Sequence, residues 1–106
     1  MGTKSVSHTN QLINKMKSRL HLLIHGNVTA VGFRAWTVRK AQDLSLTGWV
    51  RNLTENTVEI IAEGPKDKLE EFITLCRKGP EIAWVEKVEI EWQDAAGEWQ
   101  DFQISY

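Results

Sequence analysis

The chain has 106 residues, 42% hydrophobic and 25% charged, a composition that predicts one folded domain and argues against a disordered protein. Its formal net charge of -1 argues against a broad nucleic-acid-binding or acidic-membrane-binding surface, because such surfaces usually carry an excess of basic residues. Its single cysteine, Cys76, allows neither an internal disulfide nor a metal site built from cysteines.

No targeting or membrane segment is visible in the sequence. No apolar run approaches the ~20 residues that cross a bilayer, and residues 1–20 lack the hydrophobic centre of a signal peptide. The three histidines form no helical pair suited to a metal, so we expect no metal site. These observations predict a cytoplasmic protein that binds neither a membrane nor nucleic acid.

Residues 1–18 are interpreted as an N-terminal tail and residues 19–106 as the domain. Residues 19–25 (RLHLLIH) alternate between apolar and polar side chains, which predicts a strand with one face in the core. Its polar side carries His21 and His25, which we interpret as residues of the more hydrated sheet face rather than as catalytic groups. The predicted core side consists of Leu20, Leu22 and Ile24.

A loop of mostly small residues, 26–32, follows this strand and leads into a helix. Apolar residues then recur at helical spacing, which predicts an amphipathic helix with a charged outer face. The residues predicted to face the core are Phe33, Trp36, Thr37, Ala41 and Leu44.

The middle of the chain predicts a β-hairpin followed by a second helix. Strands at residues 46–53 and 57–64 flank the turn TENT, in which Asn56 is expected to adopt the left-handed conformation. One Gly-Pro pair opens the helix and another ends it. The predicted core side of this helix consists of Leu69, Phe72, Ile73 and Cys76, and Cys76 is interpreted there as a small buried apolar residue.

The C-terminal part of the chain predicts two further strands. In the segment WVEKVEIEW, Val85 is out of phase with the later apolar residues, which predicts a β-bulge near Glu86. After the turn DAAGE, the segment WQDFQISY predicts a short last strand. The residues expected to point inward are Val88, Ile90, Trp92, Phe102 and Ile104.

The predicted element order is strand, helix, strand, strand, helix, strand, with the short strand added at the end. Two helices that cover one face of a mainly antiparallel sheet form the ferredoxin-like α+β sandwich. Because many unrelated activities use this fold, the fold alone predicts no function.

The helix N-terminus that follows the loop 26–32 predicts an anion-binding site. Such a terminus presents unpaired amides and the positive end of the helix dipole, and a loop of small residues lets several amides point at one centre. Arg34 adds a cation whose planar donors match phosphate oxygens. The alternative, a tight turn with a solvent-facing arginine, stays open on the loop alone.

Asn52 is the second candidate site residue. It lies near the end of the second predicted strand, in phase with Gly48 and Val50, and strand ends lie beside helix N-termini in such sandwiches. Its side-chain amide can hold a water molecule without acting as an acid or a base. Its alternative role is that of a turn-forming residue before the hairpin.

Two motifs resemble the signatures of the acylphosphatase family. VTAVGFR resembles the family's Val-Gln-Gly-Val-x-Phe-Arg run, which forms its phosphate loop, and LTGWVRN resembles the second signature, which ends in the catalytic asparagine. The segments VEIIAEGP, CRKGP and VEKVEIEW also fit this family in order and spacing. The resemblance covers residues 20–106.

The resemblance implies a monomeric enzyme that hydrolyses acyl phosphates to carboxylate and phosphate without a metal or cofactor. It makes Arg34 the phosphate-binding arginine and Asn52 the residue that orients the attacking water. It also implies a phosphate-binding loop of backbone amides that consists of Val28, Thr29, Ala30, Val31, Gly32, Phe33 and Arg34.

Thr29 and Ala30 depart from the family pattern, which usually has Gln and Gly at these places. Ala30 brings a Cβ into a position where glycine permits a positive φ or a close backbone approach, but Arg34 and Asn52 are present, so we expect an active enzyme. The departures leave open a second hypothesis, a non-catalytic phosphate- or anion-binding module of the same fold. An RNA-recognition domain shares the element order, but it stacks bases on aromatic residues that LHLLIH and TVEIIAE lack.

Overall fold

The computed structural model of the protein describes residues 16–29 and 32–106. The predicted tail therefore lies almost entirely outside the described residues, as do Ala30 and Val31 of the predicted loop. The first strand begins two residues before the expected start of the domain. The elements are β1 (Lys17–Asn27), α1 (Phe33–Asp43), β2 (Thr47–Thr54), β3 (Thr57–Pro65), α2 (Lys66–Lys78), β4 (Trp84–Asp94) and β5 (Phe102–Ile104).

The strands form one sheet in the order β4-β1-β3-β2-β5. All neighbours pair antiparallel except β2 and β5, which are parallel. The helices pack on this mixed sheet, so the predicted ferredoxin-like α+β fold is confirmed. In the described part of the chain, no helix is both long enough and apolar enough to cross a membrane.

The core lies between the sheet and the two helices. Phe33 from α1 and Phe72 from α2 are buried in it, and burial of each such side chain contributes roughly 1.5–3 kcal/mol. The edge strand β4 is less well covered, since Trp92 keeps 40% of its surface exposed. The predicted core residues of β1, namely Leu20, Leu22 and Ile24, are fully buried, and so are Val58, Ile60 and Ala62 of β3.

The predicted β-bulge is confirmed at Glu86. His25 is aligned with Lys87 and Gly26 with Val85, so Glu86 is the extra residue of β4. Gly26 has φ 143°, and a Cβ there would lie 2.0 Å from the carbonyl oxygen of Trp84. Only glycine allows β1 to pass so close to β4 at the point where the loop begins.

The predicted left-handed conformation of Asn56 is wrong. Among the described non-glycine residues, only Ser45 has a positive φ, 58°. The hairpin is instead closed by Thr54, whose hydroxyl oxygen accepts a hydrogen bond from the Asn56 N–H at 3.4 Å. The β2–β3 register also shifts between Asn52 and Thr54, and this irregularity removes the need for a left-handed turn residue.

The connection between β4 and β5 crosses over the side chain of Glu63. This residue is aligned with Arg19 on the polar face of the sheet, yet only 2% of its surface is exposed. Its carboxylate accepts hydrogen bonds from the N–H groups of Ala96 at 2.8 Å and Gly97 at 3.0 Å. The Arg19 Nε donates a third bond at 2.8 Å. The carboxylate therefore attaches the β4–β5 connection to the middle of the sheet.

Candidate active site

Three parts of the chain meet at one end of the sheet: the end of β1, the start of α1 and the tip of the β2–β3 hairpin. The antiparallel pairing of β1 with β3 aligns His25 with Thr57, which places the hairpin tip beside the loop. The Gly26 N–H donates a hydrogen bond to the Asn56 carbonyl oxygen at 3.0 Å. The Thr29 hydroxyl donates another to the carbonyl oxygen of Glu55. The loop and the hairpin are thus joined directly.

The N-terminus of α1 is suited to a negatively charged ligand. Gly32 caps it in the left-handed conformation, with φ 73° and ψ 20°, and the Trp36 N–H closes the first turn onto the Gly32 carbonyl oxygen at 3.0 Å. Among the described residues no side chain caps this terminus, and its first turn contains no acidic residue. Within the described residues, the positive end of the helix dipole therefore has neither a capping side chain nor an acidic residue of its own first turn.

Two residues of the predicted phosphate loop are fixed by the core. Val28 is fully buried, and the ring of Phe33 packs against Trp36 with 5.3 Å between the ring centroids. These side chains hold both ends of the loop in place, so an anion would meet only their backbone groups.

Arg34 is the second residue of α1 and is half-buried. Its guanidinium carbon lies 5.5 Å from the centre of the Tyr106 ring, a weak cation–π contact because Tyr106 is 99% exposed. All the acidic residues of the chain lie within the described ranges, and none of them forms an ion pair with Arg34. No carboxylate is therefore paired with the guanidinium next to the helix terminus.

Asn52 is on the same side of the sheet as the helices. It is aligned with Val58, whose side chain is fully buried in the core, and the phase predicted from Val50 is therefore correct. Asn52 itself is exposed, because the strand has passed the edge of the core at this point. In the described part of the chain its side chain is not used to cap a turn, a task that Thr54 performs instead.

The C-terminal strand connects the regions of Arg34 and Asn52. β5 runs parallel to β2 with Ile104 aligned to Val50, and the Ser105 N–H continues this pairing with a 2.8 Å bond to the Val50 carbonyl oxygen. The next residue, Tyr106, is thereby brought near the level of Asn52 while its ring contacts Arg34. No sequence pattern predicts this contact, since it depends on which strand β5 pairs with.

In the described part of the chain, the remaining histidines and the cysteine make other contacts. His21 and His25 lie on the polar face of the sheet, where they bond to Glu59 at 2.8 Å and to Glu89 at 2.5 Å, so their predicted placement is confirmed. Cys76 is fully buried in the core, and burial raises the pKa of its thiol well above the usual value. Neither histidine nor the cysteine belongs to the candidate site.

In the described residues, a helix N-terminus without a capping side chain lies next to an arginine without an ion pair, on a ferredoxin-like sandwich, and this arrangement is suited to an anion. The family of this domain follows from comparison with known proteins. The acylphosphatase family model matches residues 20–104. An acylphosphatase of Pelotomaculum thermopropionicum is 40% identical over 90 residues, which cover 85% of this chain and 98% of that protein. The chain belongs to the acylphosphatase family.

Solved structures support the same assignment. The crystal structure of acylphosphatase from Bacillus subtilis matches with a TM-score of 0.80 at 29% identity, covering 84% of this chain and 99% of that chain. The structure of an acylphosphatase from Coxiella burnetii matches with a TM-score of 0.79 at 32% identity, covering 85% and 94%. The fold and the sequence therefore point to one family.

Proposed function

We propose that the protein hydrolyses the carboxyl-phosphate bond of acyl phosphates to a carboxylate and inorganic phosphate. The observation that carries this proposal is Arg34, a cation without a carboxylate partner in the first turn of a helix that Gly32 caps. A dianionic phosphate group would complete this charge arrangement. Membership of a family whose relatives are named acylphosphatases supports the choice of reaction.

In this proposal, Arg34 and the loop amides bind the phosphate group. The residues assigned to the loop are those from Val28 to Arg34. The guanidinium offers two parallel N–H donors to phosphate oxygens, and the helix terminus adds the field of its dipole. Because these groups are fixed before the reaction, they stabilise the charge of the transition state without reorganising.

The reaction needs little acid or base assistance. The water oxygen forms a new bond to phosphorus while the bond between phosphorus and the carboxylate oxygen breaks, and the carboxylate leaves with the bonding electrons. Asn52 orients the water through its side-chain amide, and a phosphate oxygen of the substrate accepts the proton. Positioning accounts for much of the expected acceleration.

The test is a direct assay of a synthetic acyl phosphate, with release of inorganic phosphate as the readout. The wild-type protein should turn the substrate over, and the Arg34→Ala and Asn52→Ala variants should not do so efficiently. Binding of inorganic phosphate without turnover by the wild type would contradict the proposal and favour the non-catalytic anion-binding module.

The substrate of this proposed enzyme is a small molecule. A monomeric state, a cytoplasmic location, and the lack of nucleic-acid, membrane, metal or cofactor binding stay predictions. Activity that survives an excess of chelator would agree with the metal-free reaction, and activity restored only by a divalent cation would contradict it.

A further inference from the structure

Among the described residues, three hydrogen-bond contacts join the end of β1 and the following loop to the tip of the β2–β3 hairpin, and we call them the loop–hairpin seam. His25 Nδ1 lies 3.2 Å from the Thr57 hydroxyl oxygen. The Gly26 N–H reaches the Asn56 carbonyl oxygen at 3.0 Å. The Thr29 hydroxyl donates to the Glu55 carbonyl oxygen. The first two contacts start from strand β1, and only the Thr29 contact starts from the loop itself.

The hydroxyl of Thr29 is not available to donate to a bound phosphate. A hydroxyl has one proton to donate, and Thr29 donates it to Glu55. Towards an anion it could then offer only lone pairs, which an anion repels. The contribution of the Thr29 side chain must therefore be to hold the loop, whatever its backbone amide does.

The hairpin tip needs such an attachment because the strand ladder is interrupted there. The β2–β3 register shifts between Asn52 and Thr54, so regular pairing with β3 ends at the residue that is proposed to orient water. Glu55, the acceptor for Thr29, follows Asn52 by three positions. A bond from the loop to Glu55 therefore fixes the Asn52 end of β2 relative to the anion-binding loop.

We propose that Thr29 is a positioning residue, which holds the phosphate-binding loop at a fixed distance from Asn52. This inference rests on the proposed acylphosphatase function, because the distance matters only if Asn52 acts on a bound phosphate. Thr29 is also one of the two loop residues that depart from the family pattern, so its hydrogen bond to Glu55 is a feature of this chain's own sequence.

The first experiment compares Thr29→Val with Thr29→Ser in the acyl phosphate assay. Valine keeps the β-branched shape and removes the hydroxyl, whereas serine keeps the hydroxyl. Thr29→Val should lower kcat by about tenfold or more, because a misplacement of about 1 Å can cost about 100-fold, and inhibition by inorganic phosphate should stay nearly unchanged. Thr29→Ser should restore most of kcat. Thr74→Val is the matched control. The Thr74 hydroxyl likewise donates to a backbone carbonyl oxygen, that of Glu70, but on the exposed face of α2.

The second experiment places Thr29→Val in an Asn52→Ala background. If Thr29 acts through Asn52, the double variant should be no slower than Asn52→Ala alone. An equal loss of kcat in both backgrounds would overturn the proposal. A Thr29→Val variant that binds phosphate much more weakly, or whose loss serine does not restore, would overturn it as well.

The outcomes separate this inference from the proposed function. A folded but inactive wild type overturns both, whereas an active wild type with unchanged kcat in Thr29→Val overturns the positioning role alone. If Thr29→Val fails to fold, Thr29→Ala supplies the same comparison without the hydroxyl.

Discussion

Arg34 lies in the first turn of its helix, whereas cations are favoured near helix C-termini. A cation at this end is repelled by the helix dipole, and the chain supplies no carboxylate to compensate. The cation–π contact with the exposed Tyr106 ring compensates only weakly. Such an arrangement is unfavourable for the empty protein and favourable for one that holds an anion.

Replacement of Arg34 by alanine should therefore lower kcat/KM by about 100-fold or more, the cost typical of removing a donor to a developing negative charge. Inhibition by inorganic phosphate should weaken as well, while the circular dichroism spectrum stays unchanged. Arg34→Lys should restore little, because lysine lacks the planar pair of donors. Arg39→Ala, on the exposed side of the same helix, is the control. Near-normal kcat/KM in Arg34→Ala would contradict the assignment.

Replacement of Asn52 should have a different kinetic signature. Because its amide orients water and does not hold the phosphate, Asn52→Ala should reduce kcat strongly and leave the inhibition constant of phosphate almost unchanged. Gln103→Ala on the neighbouring strand β5, aligned with Trp49, is the control for loss of an exposed strand amide. A parallel loss of phosphate binding would show instead that Asn52 contacts the ligand.

At the scale of single elements, β1 and β4 approach each other so closely at Gly26 that no side chain fits there. A Cβ at Gly26 would overlap the Trp84 carbonyl oxygen, so Gly26→Ala requires a backbone shift at the base of the loop. We expect the free energy of unfolding to fall by about 3 kcal/mol or more, measured by urea denaturation.

Gly97→Ala is the matched control for this substitution. Gly97 also has a positive φ, 68°, but no heavy atom lies within 4 Å of the added Cβ. Gly97→Ala should lower the free energy of unfolding by the conformational strain alone, about 1 kcal/mol. Equal losses in the two variants would show that φ alone, and not the contact with β4, requires glycine at position 26.

The elements that could be predicted from the sequence are those whose burial repeats along the chain. Leu20, Leu22 and Ile24 alternate because one face of β1 is buried, and the phase break at Val85 indicated the bulge for the same reason. The prediction of a left-handed conformation for Asn56 was wrong. In the structure the Thr54 hydroxyl oxygen accepts a hydrogen bond from the Asn56 N–H and closes the turn. Local propensity contains no information about that competing hydrogen bond.

The parts of the site that could not be predicted depend on contacts between distant residues. Arg34 and Asn52 were predicted as site residues from their residue types and their positions in the predicted elements. The contact of Arg34 with Tyr106 and the bond from Thr29 to Glu55 arise only after β5 has paired with β2 and β1 with β3. No spacing in the chain indicates these pairings.

At the scale of the whole molecule, Glu63 couples the sheet to the β4–β5 connection. Burial by itself would raise the pKa of this carboxyl group, but the hydrogen bonds from Ala96, Arg19 and Gly97 outweigh it and hold the pKa below the usual value. As pH falls, the unfolded chain therefore takes up the proton before the folded protein does. The stabilisation is complete above the unfolded-state pKa, about 4.3, and is lost as pH falls through the lower folded-state pKa.

Glu63→Gln should consequently be less stable than the wild type at pH 7, by about 2 kcal/mol, because hydrogen bonds to a charged group are lost. Its stability should also change less between pH 6 and acidic pH, as measured by thermal or urea unfolding. Glu91→Gln, an exposed carboxyl on β4, should leave both properties almost unchanged. A Glu63→Gln variant with the acid sensitivity of the wild type would contradict this role.

The pairing of β5 with β2 has a practical consequence for fusion proteins. A tag or partner domain attached after Tyr106 starts beside the guanidinium of Arg34, so it would crowd the entrance for substrate. One joined directly to Lys17 in place of residues 1–16 starts next to Pro65, at the opposite end of β1 and about 35 Å along the strand from Asn27. Immobilisation or display through such a fusion therefore leaves the phosphate-binding end open to solution.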